Sequence, residues 1–500
     1  MDSRLQIRLD RNAKLPLSEQ IRLSIARAID SGVLTPGTRL PSWQDLAARL
    51  GVARGTVQAA YERLSDAQII ETFGARGTRV APRPRVPVAQ PKAPRPGSFM
   101  STYLQMNTGP AVFQVGIPAL EGLPDRLFAR ARSSNLLKTG TFSSLIYPDP
   151  RGELALRREI ASYLAISRNL HCLPDQVFIT SGYISGLGLA LRVLGLDGKK
   201  AWMEEPGFMV TRKALELARL TAVPVPVDAE GINVEYGIER APDAALAVVT
   251  PGQQAPLGST LSLTRRLQLL EWAAASDAWI IEDDYLSELQ LDGRAAPALA
   301  SLSGAGRVIH IGTFSKTISP ALRLGFVVAP AELITPFSEV TATLAPAPTP
   351  IIQLATAQFM RDGHYIRRIR RLKRLYSTQR EALCEQLRLR DAAWTAAGLA
   401  ILLRLPDGAP DTRIAREAMD FGMAPSPLSK WFATPSPAAS GLLLGVATAP
   451  EAEVGASCRR LFEIIDRSCQ SPLARDRRQK QGNRGTEQDK ILEQELTRHR

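Results

Sequence analysis

Cysteine and histidine are scarce in this chain of 500 residues, with four of each. Cys172, Cys384, Cys458 and Cys469 are scattered, with neither a disulfide framework nor metal-ligand spacing. That excludes a stapled secreted scaffold and a zinc module, and no metal site is expected. The adjacent His171 and Cys172 read as loop or core. Apolar runs long enough to span a bilayer are missing too, and Met1-Asp-Ser-Arg-Leu-Gln lacks the apolar core of a signal peptide. A cytoplasmic protein without membrane spans is therefore expected. Acidic residues are in deficit: 49 against 62 Lys and Arg, a net charge of +13. Such an excess suits a polyanionic partner without naming it.

What is present divides into a small basic segment and a long α/β segment. In the first, Leu17, Ile21, Ile25, Ile29 and Val33 recur every four positions and predict one apolar stripe on a helix. Thr35-Pro-Gly37 stops it. Ser42, with Asp45 three residues on, approximates a capping box for a short second helix that turns Leu46, Ala47 and Leu50 inward and ends at Gly51. Val57, Ala60, Tyr61 and Leu64 mark the buried face of a third helix, whose first turn shows Arg54, Gly55, Thr56 and Gln58 outward. Two short helices joined by a glycine turn make a helix-turn-helix. Ile69–Phe73 and Thr78–Val80 read as strands around Gly74-Ala-Arg-Gly77, a wing with Arg76 at its tip. The blander alternative is a small helical docking domain.

The run Pro36-Gly-Thr-Arg-Leu-Pro-Ser42, then Leu46-Ala-Ala-Arg-Leu-Gly-Val-Ala-Arg-Gly-Thr-Val57 and Tyr61-Glu-Arg-Leu64, resembles the GntR winged-helix regulators. That resemblance implies a double-stranded DNA partner, an operator with paired half-sites. It implies contacts from Arg54, Thr56, Arg76 and Gly77, and the surrounding Arg39, Ser42, Gln44, Gly55 and Gln58 complete the candidate DNA-facing set. Many members carry an arginine early in the second helix, where this chain has Gln44 beside Trp43.

Ala81–Pro96 is rich in proline and arginine and free of acids, which predicts an extended spacer. The expected divisions are 10–80 winged helix-turn-helix, 81–110 linker, 111–467 large domain and 468–500 polar tail, the tail disordered or a frayed helix. The basic run Arg367–Arg374 reads as a solvated helix face, with nucleic acid as the alternative.

The long segment alternates apolar strands with helical stretches. Its centre is Gly312-Thr-Phe-Ser-Lys-Thr-Ile-Ser-Pro-Ala-Leu-Arg-Leu-Gly325, set between the strands Val308–Ile311 and Phe326–Ala329. A desolvated lysine at a strand end, Lys316, can form a Schiff base. Arg323, Thr313 and Ser315 offer a cation and hydroxyls suited to a phosphate. Together they point to pyridoxal 5'-phosphate. Upstream, Ser181 and Gly182 link the strand Val177–Thr180 to a helix running through Leu194, and amides there can face a phosphate. Phe208 offers a ring to stack on a pyridine, and Gln253-Gln254 an amide turn. Asp283, after the strand Ala278–Ile281, could keep a pyridine nitrogen protonated, and Tyr285 could bond the ring's 3-oxygen.

The ordered set resembles the class I aminotransferases of the fold-type I pyridoxal phosphate group. Tyr147-Pro-Asp-Pro-Arg-Gly152 and Leu156-Arg-Arg-Glu-Ile-Ala161 belong to the same likeness. It implies Lys316 as the Schiff-base lysine, Asp283 and Tyr285 as ring partners, Phe208 as stacking ring, Arg323 as phosphate clamp, and Ser181, Gly182, Gln254, Thr313 and Ser315 around the cofactor. Gly441-Leu-Leu-Leu-Gly-Val446 has no arginine where aminotransferases bind a substrate carboxylate. A GntR winged helix joined to such a domain resembles the MocR group of bacterial regulators. The expected architecture is therefore a small α+β winged helix-turn-helix plus an α/β fold-type I domain. The expected function is a homodimeric, DNA-binding transcription regulator that senses pyridoxal phosphate, an amine or amino-acid effector, or both. An active aminotransferase with an autoregulatory DNA-binding domain is the alternative, and a GntR repressor without the cofactor a third.

Overall fold

In the computed structural model the chain forms two compact units, Met1–Met100 and Ser101–Arg500. The structure describes residues 7–82 apart from 12 and 14, then 97–106, 109–119, 128–130, 133, 146–304, 306–434 and 439–469. Most of the proline-rich spacer and residues 470–500 of the expected tail lie outside that set. Among the described residues no helix is long and apolar enough to cross a membrane.

The first unit holds α1 (Leu17–Asp30), α2 (Trp43–Leu50), α3 (Arg54–Asp66) and a hairpin of β1 (Ile70–Thr72) and β2 (Thr78–Val80). Ile21 and Ile25 of α1 meet Leu46, Ala47, Val57, Ala60, Tyr61 and Leu64 in a single core. Val33 does not extend the α1 stripe as the four-residue recurrence predicts. The helix ends at Asp30, Val33 is 41% exposed, and Leu34 takes the buried place. Ser42 caps α2, but the box is only half formed: Asp45 N donates to Ser42 Oγ at 3.1 Å, while Asp45 Oδ2 accepts from the Ser42 hydroxyl at 2.7 Å in place of its backbone N–H. Tyr61 Oη donates to Pro41 O at 2.9 Å and so fixes α3 against the entry to α2.

The second unit is built on an eight-stranded mixed sheet in the order β3-β10-β9-β8-β7-β4-β5-β6. These strands are β3 (Val177–Thr180), β4 (Lys200–Glu205), β5 (Thr221–Asp228), β6 (Gly231–Ile232), β7 (Ala244–Val249), β8 (Trp279–Asp284), β9 (Val308–Thr313) and β10 (Gly325–Val328). The five central strands run parallel, while β10 lies antiparallel between β3 and β9. Both faces are covered, as a parallel sheet requires. Val177, Ile179, Phe326 and Val328 enter one core, whereas the intervening Phe178 and Val327 enter the other. A smaller antiparallel sheet has the order β11 (Trp394–Ala397), β12 (Ala400–Arg404), β14 (Gly441–Gly445), β13 (Ser426–Pro427). Part of the stretch expected to be linker is helical, over Ser98–Met106.

Candidate functional site

Parallel strands leave their carboxyl ends on one edge, and ligands of open α/β sheets bind there. At that edge the second unit has a cavity of about 520 Å³. Its wall carries Lys316, Thr313, Ser315, Arg323, Asp283, Tyr285 and Phe208, residues that the sequence motifs and their resemblance to the aminotransferases had grouped. β8 and β9 are adjacent and in register, with Asp283 opposite Ile311 and Asp284 opposite Gly312. The pairing carries the Asp283 carboxylate and the Lys316 turn to the same strand ends.

Lys316 is half-buried, and its Nζ donates to the carbonyl of Gly116. Burial pulls the amine down to about 8 from its usual 10.5, against the opposing pull of Asp283. The turn beneath it is held from the helix His364–Arg388. Tyr365 Oη donates to Thr317 Oγ1 at 3.1 Å, and Arg368 donates to the carbonyls of Thr317 and Ile318. Arg368 is 7% exposed. The basic run is thus not wholly a solvated face: one member braces the lysine turn, while Arg367, Arg370, Arg371 and Arg374 are exposed.

Strand alternation separates the acidic residues of β8. Glu282 and Asp284 share one face. There Arg168 Nε donates to Asp284 Oδ2 at 2.8 Å, and His310 Nδ1 lies 3.0 Å from Glu282 Oε2. The amides of Leu299 and Ala300 donate to Glu282 at 2.7 and 3.0 Å. Burial would raise the Glu282 carboxyl, but His310, Arg168 and the amides hold it down at about 2. Asp283 turns the other way, into the cavity wall. Its Oδ1 is buried with no hydrogen-bond partner among the described residues. Burial, then the carboxyls of Asp284 and Glu204, push Asp283 well above the usual carboxylate range.

Thr313 Oγ1 donates to Ser315 Oγ at 2.9 Å and accepts from Ser315 N at 3.2 Å. Arg323 has a left-handed backbone, φ 49°, and makes no ion pair among the described residues. Its guanidinium lies beside Gly182, where an added Cβ would stand 3.8 Å from Arg323 Cζ. Gly182 precedes the helix Tyr183–Leu194 with no side-chain cap, leaving first-turn amides available to an anion. Gly325 is required by the same crowding, since a Cβ there would meet Gly182 Cα at 2.9 Å. Ser181 is half-buried at the end of β3.

Gln254 departs from the expected arrangement. Its Nε2 donates to Pro206 O and Ala255 O, both at 2.8 Å, and to Glu204 Oε2 at 3.3 Å, while its Oε1 accepts from Leu257 N. Held by its own turn and by the end of β4, it is not part of the cavity wall. Several wall residues escaped the sequence reading, Tyr183, Glu204 and Trp431 among them. Tyr183 Oη lies 2.9 Å from Thr211 Oγ1 and beside Asp283. Glu204 is bonded by Thr250 N and Oγ1, and burial raises it to about 7. Trp431 tilts against Phe208 with ring centroids 5.9 Å apart. Only the strand-end placement of Glu204 could have signalled it.

On the first unit, Arg54, Gly55 and Gln58 are exposed at the start of α3, and Thr56 is half-buried. Ala53 caps that helix without a side-chain acceptor, and no acid stands in its first turn. Both favour a phosphate there. Gln44 is exposed on α2, whereas the exposed Ser42 spends its hydroxyl on the cap. Arg76 is exposed on the turn Gly74–Arg76. Arg39 lies along Gly77, φ 87°, where an added Cβ would come within 3.0 Å of Arg39 Nε.

Comparison with known proteins separates the chain along the same lines. Residues 17–80 match the model for bacterial regulatory proteins of the gntR family, and residues 122–417 match that for aminotransferase class I and II. A probable rhizopine catabolism regulatory protein, MocR, from Rhizobium meliloti is 34% identical, over 88% of this chain and 92% of its own. The pyridoxine biosynthesis regulator PdxR of Corynebacterium glutamicum is 34% identical over 74% and 78% of the two chains. Among solved structures, an archaeal alanine:glyoxylate aminotransferase superposes with a TM-score of 0.67 at 25% identity, over 74% of this chain and 94% of its own. The α-aminoadipate aminotransferase LysN of Thermus thermophilus, solved with N-(5'-phosphopyridoxyl)-L-leucine, gives 0.65 at 25% identity, over 73% and 94%.

Proposed function

We propose that this chain, which belongs to the GntR-family transcription regulators that join a winged helix to an aminotransferase class I domain, senses pyridoxal phosphate through Lys316. DNA binding and transcription regulation come with the family; the sensing and its residues are the proposal. The observation that carries it is one cavity wall bearing an amine at about 8, the orphaned Asp283 Oδ1 and the unpaired Arg323. When bound, pyridoxal phosphate supplies an aldehyde that condenses reversibly with primary amines. Lys316 meets it with a nucleophile: at pH 7 about a tenth of the amine is neutral, against roughly three parts in ten thousand at an ordinary lysine pKa. Arg323, Thr313, Ser315 and the amides after Gly182 suit the phosphate. Asp283 Oδ1 would accept a hydrogen bond from a protonated ring nitrogen, Tyr285 would bond the 3-oxygen, and Phe208 would cover a ring face.

The amine-binding chemistry and the DNA reader lie on one chain, so the effector's difference in affinity between two arrangements would set the occupancy of DNA. A homodimer through the large domain would give two readers for paired half-sites. A DNA reader of this kind works in the cytoplasm, on the nucleoid when bound. Sequencing the DNA retained by the purified protein, with and without pyridoxal phosphate, tests the reading. Identical sequences and equal yields in both arms would refute it. A second reading, residual transamination, is favoured by the intact set of Lys316, Asp283 and Tyr285, and release of a keto acid from an amino acid would support it.

A further inference from the structure

We infer that the cavity selects primary amines with apolar bodies and no carboxylate. The inference rests on the reading that pyridoxal phosphate binds at Lys316. Among the described residues the cationic side chains of the wall are Lys316 and Arg323. The first is taken by the aldehyde and the second by the phosphate, so no cation is left over for an effector. The acids of the wall are Asp283, which serves the ring nitrogen, and Glu204.

Glu204 is held in place by three donors, from Thr250 N, Thr250 Oγ1 and Gln254 Nε2. Its charge disfavours a second carboxylate nearby, and burial has already raised it to about 7. Several polar groups of the wall are engaged with the protein: Thr211 Oγ1 lies 2.9 Å from Tyr183 Oη, Gln114 Oε1 accepts from Ala111 N, and Tyr376 Oη accepts from Ala119 N. Most of the lining surface is apolar, with Ile117, Ile184, Phe208, Leu399, Trp431 and Leu443 contributing. Leu443 sits on β14 and is 2% exposed.

A carboxylate moved into such a wall loses its hydration and gains no cationic partner among the described residues, which makes its burial costly. An alkyl or aryl group gains by leaving water. The amine is still needed, because it must take the place of Lys316. That exchange replaces one C=N bond with another and returns the lysine as a free amine, so it needs no oxidant, reductant or added water.

The test uses the full-length protein loaded with pyridoxal phosphate and two matched pairs. They are 2-phenylethylamine with L-phenylalanine, and 3-methylbutylamine with L-leucine. Apparent dissociation constants are read from the visible absorption and, independently, from thermal shift. Each amine should bind on the order of 100-fold more tightly than its amino acid. Leu443→Arg should lower that ratio by roughly tenfold or more, since it adds the missing cation. If the variant does not fold, the wild-type ratios decide alone. Equal or tighter binding of the amino acids by wild type, with cofactor retained on Lys316, overturns this inference and leaves the cofactor reading standing. No retention of cofactor on Lys316 after borohydride treatment overturns both.

Discussion

Replacing Asp283 with asparagine should weaken pyridoxal phosphate binding and at the same time stabilise the cofactor-free protein. The two effects have one origin. Asp283 is 7% exposed, its Oδ1 has no partner among the described residues, and the buried carboxyls of Asp284 and Glu204 act on it. A protonated ring nitrogen supplies the missing donor, and a hydrogen bond to a charged group contributes about 1.5–3 kcal/mol. Its loss predicts a dissociation constant roughly 10- to 150-fold higher. Without cofactor the same carboxylate is a net cost, because a carboxyl raised above its unfolded value destabilises the fold wherever it would ionise. That cost is absent below about pH 4, grows as pH rises through the ordinary aspartate range, and levels off above the raised folded value. Asparagine nearly preserves shape and removes the charge, so about 1–2 kcal/mol should return. In a unit of this size that raises Tm by about 1–2 °C. Equilibrium dialysis measures the first effect, and scanning calorimetry of cofactor-free wild type and Asp283→Asn from pH 5 to 8 measures the second. The Tm gap should widen with pH. Unchanged cofactor affinity, or a gap that narrows as pH rises, would refute the reasoning.

Lys316→Ala should abolish both the visible absorption and borohydride trapping of the cofactor, and in wild type the rate of capture should rise with pH through a midpoint near 8; covalent trapping by the alanine variant would assign the role to another lysine. Arg54→Ala should cost about 1–3 kcal/mol of operator binding and relax one base position, measured by titration against single-base operator variants. Arg76→Ala should weaken binding evenly and reduce the salt slope by about 1, and an unchanged slope would place no phosphate at the wing. Sedimentation of the full chain should show a dimer that persists when residues 1–96 are removed, and a monomeric large unit carrying normal cofactor would sink the assembly proposed above.

Local sequence determined a good deal of this molecule. The faces of α3 follow from a helical period, which is why Val57, Ala60, Tyr61 and Leu64 are buried and Arg54 and Gln58 are not. The Ser42 cap and the strand Val177–Thr180 are likewise settled within a few residues. Lys316, Thr313, Ser315 and Arg323 sit close together in the chain and share one strand end, so their meeting was legible without a fold. Other features needed the tertiary structure, because they depend on contacts across long sequence separations. Gly116 meets Lys316 across 200 residues. Arg368 looks like any member of a basic helix until the Thr317 and Ile318 carbonyls bury it. The same holds for Gln254, whose amide satisfies Pro206 O and Ala255 O instead of lining the cavity. Its turn and the distant Pro206 carbonyl offered acceptors at hydrogen-bond distance, and a buried amide left unpaired would have cost more than the contact it gave up. Val33 continued the α1 pattern in the sequence but fell beyond the helix end at Asp30, where the chain's next buried place went to Leu34. Periodicity states which face a residue would occupy if the helix reached it; only packing decides where the helix stops.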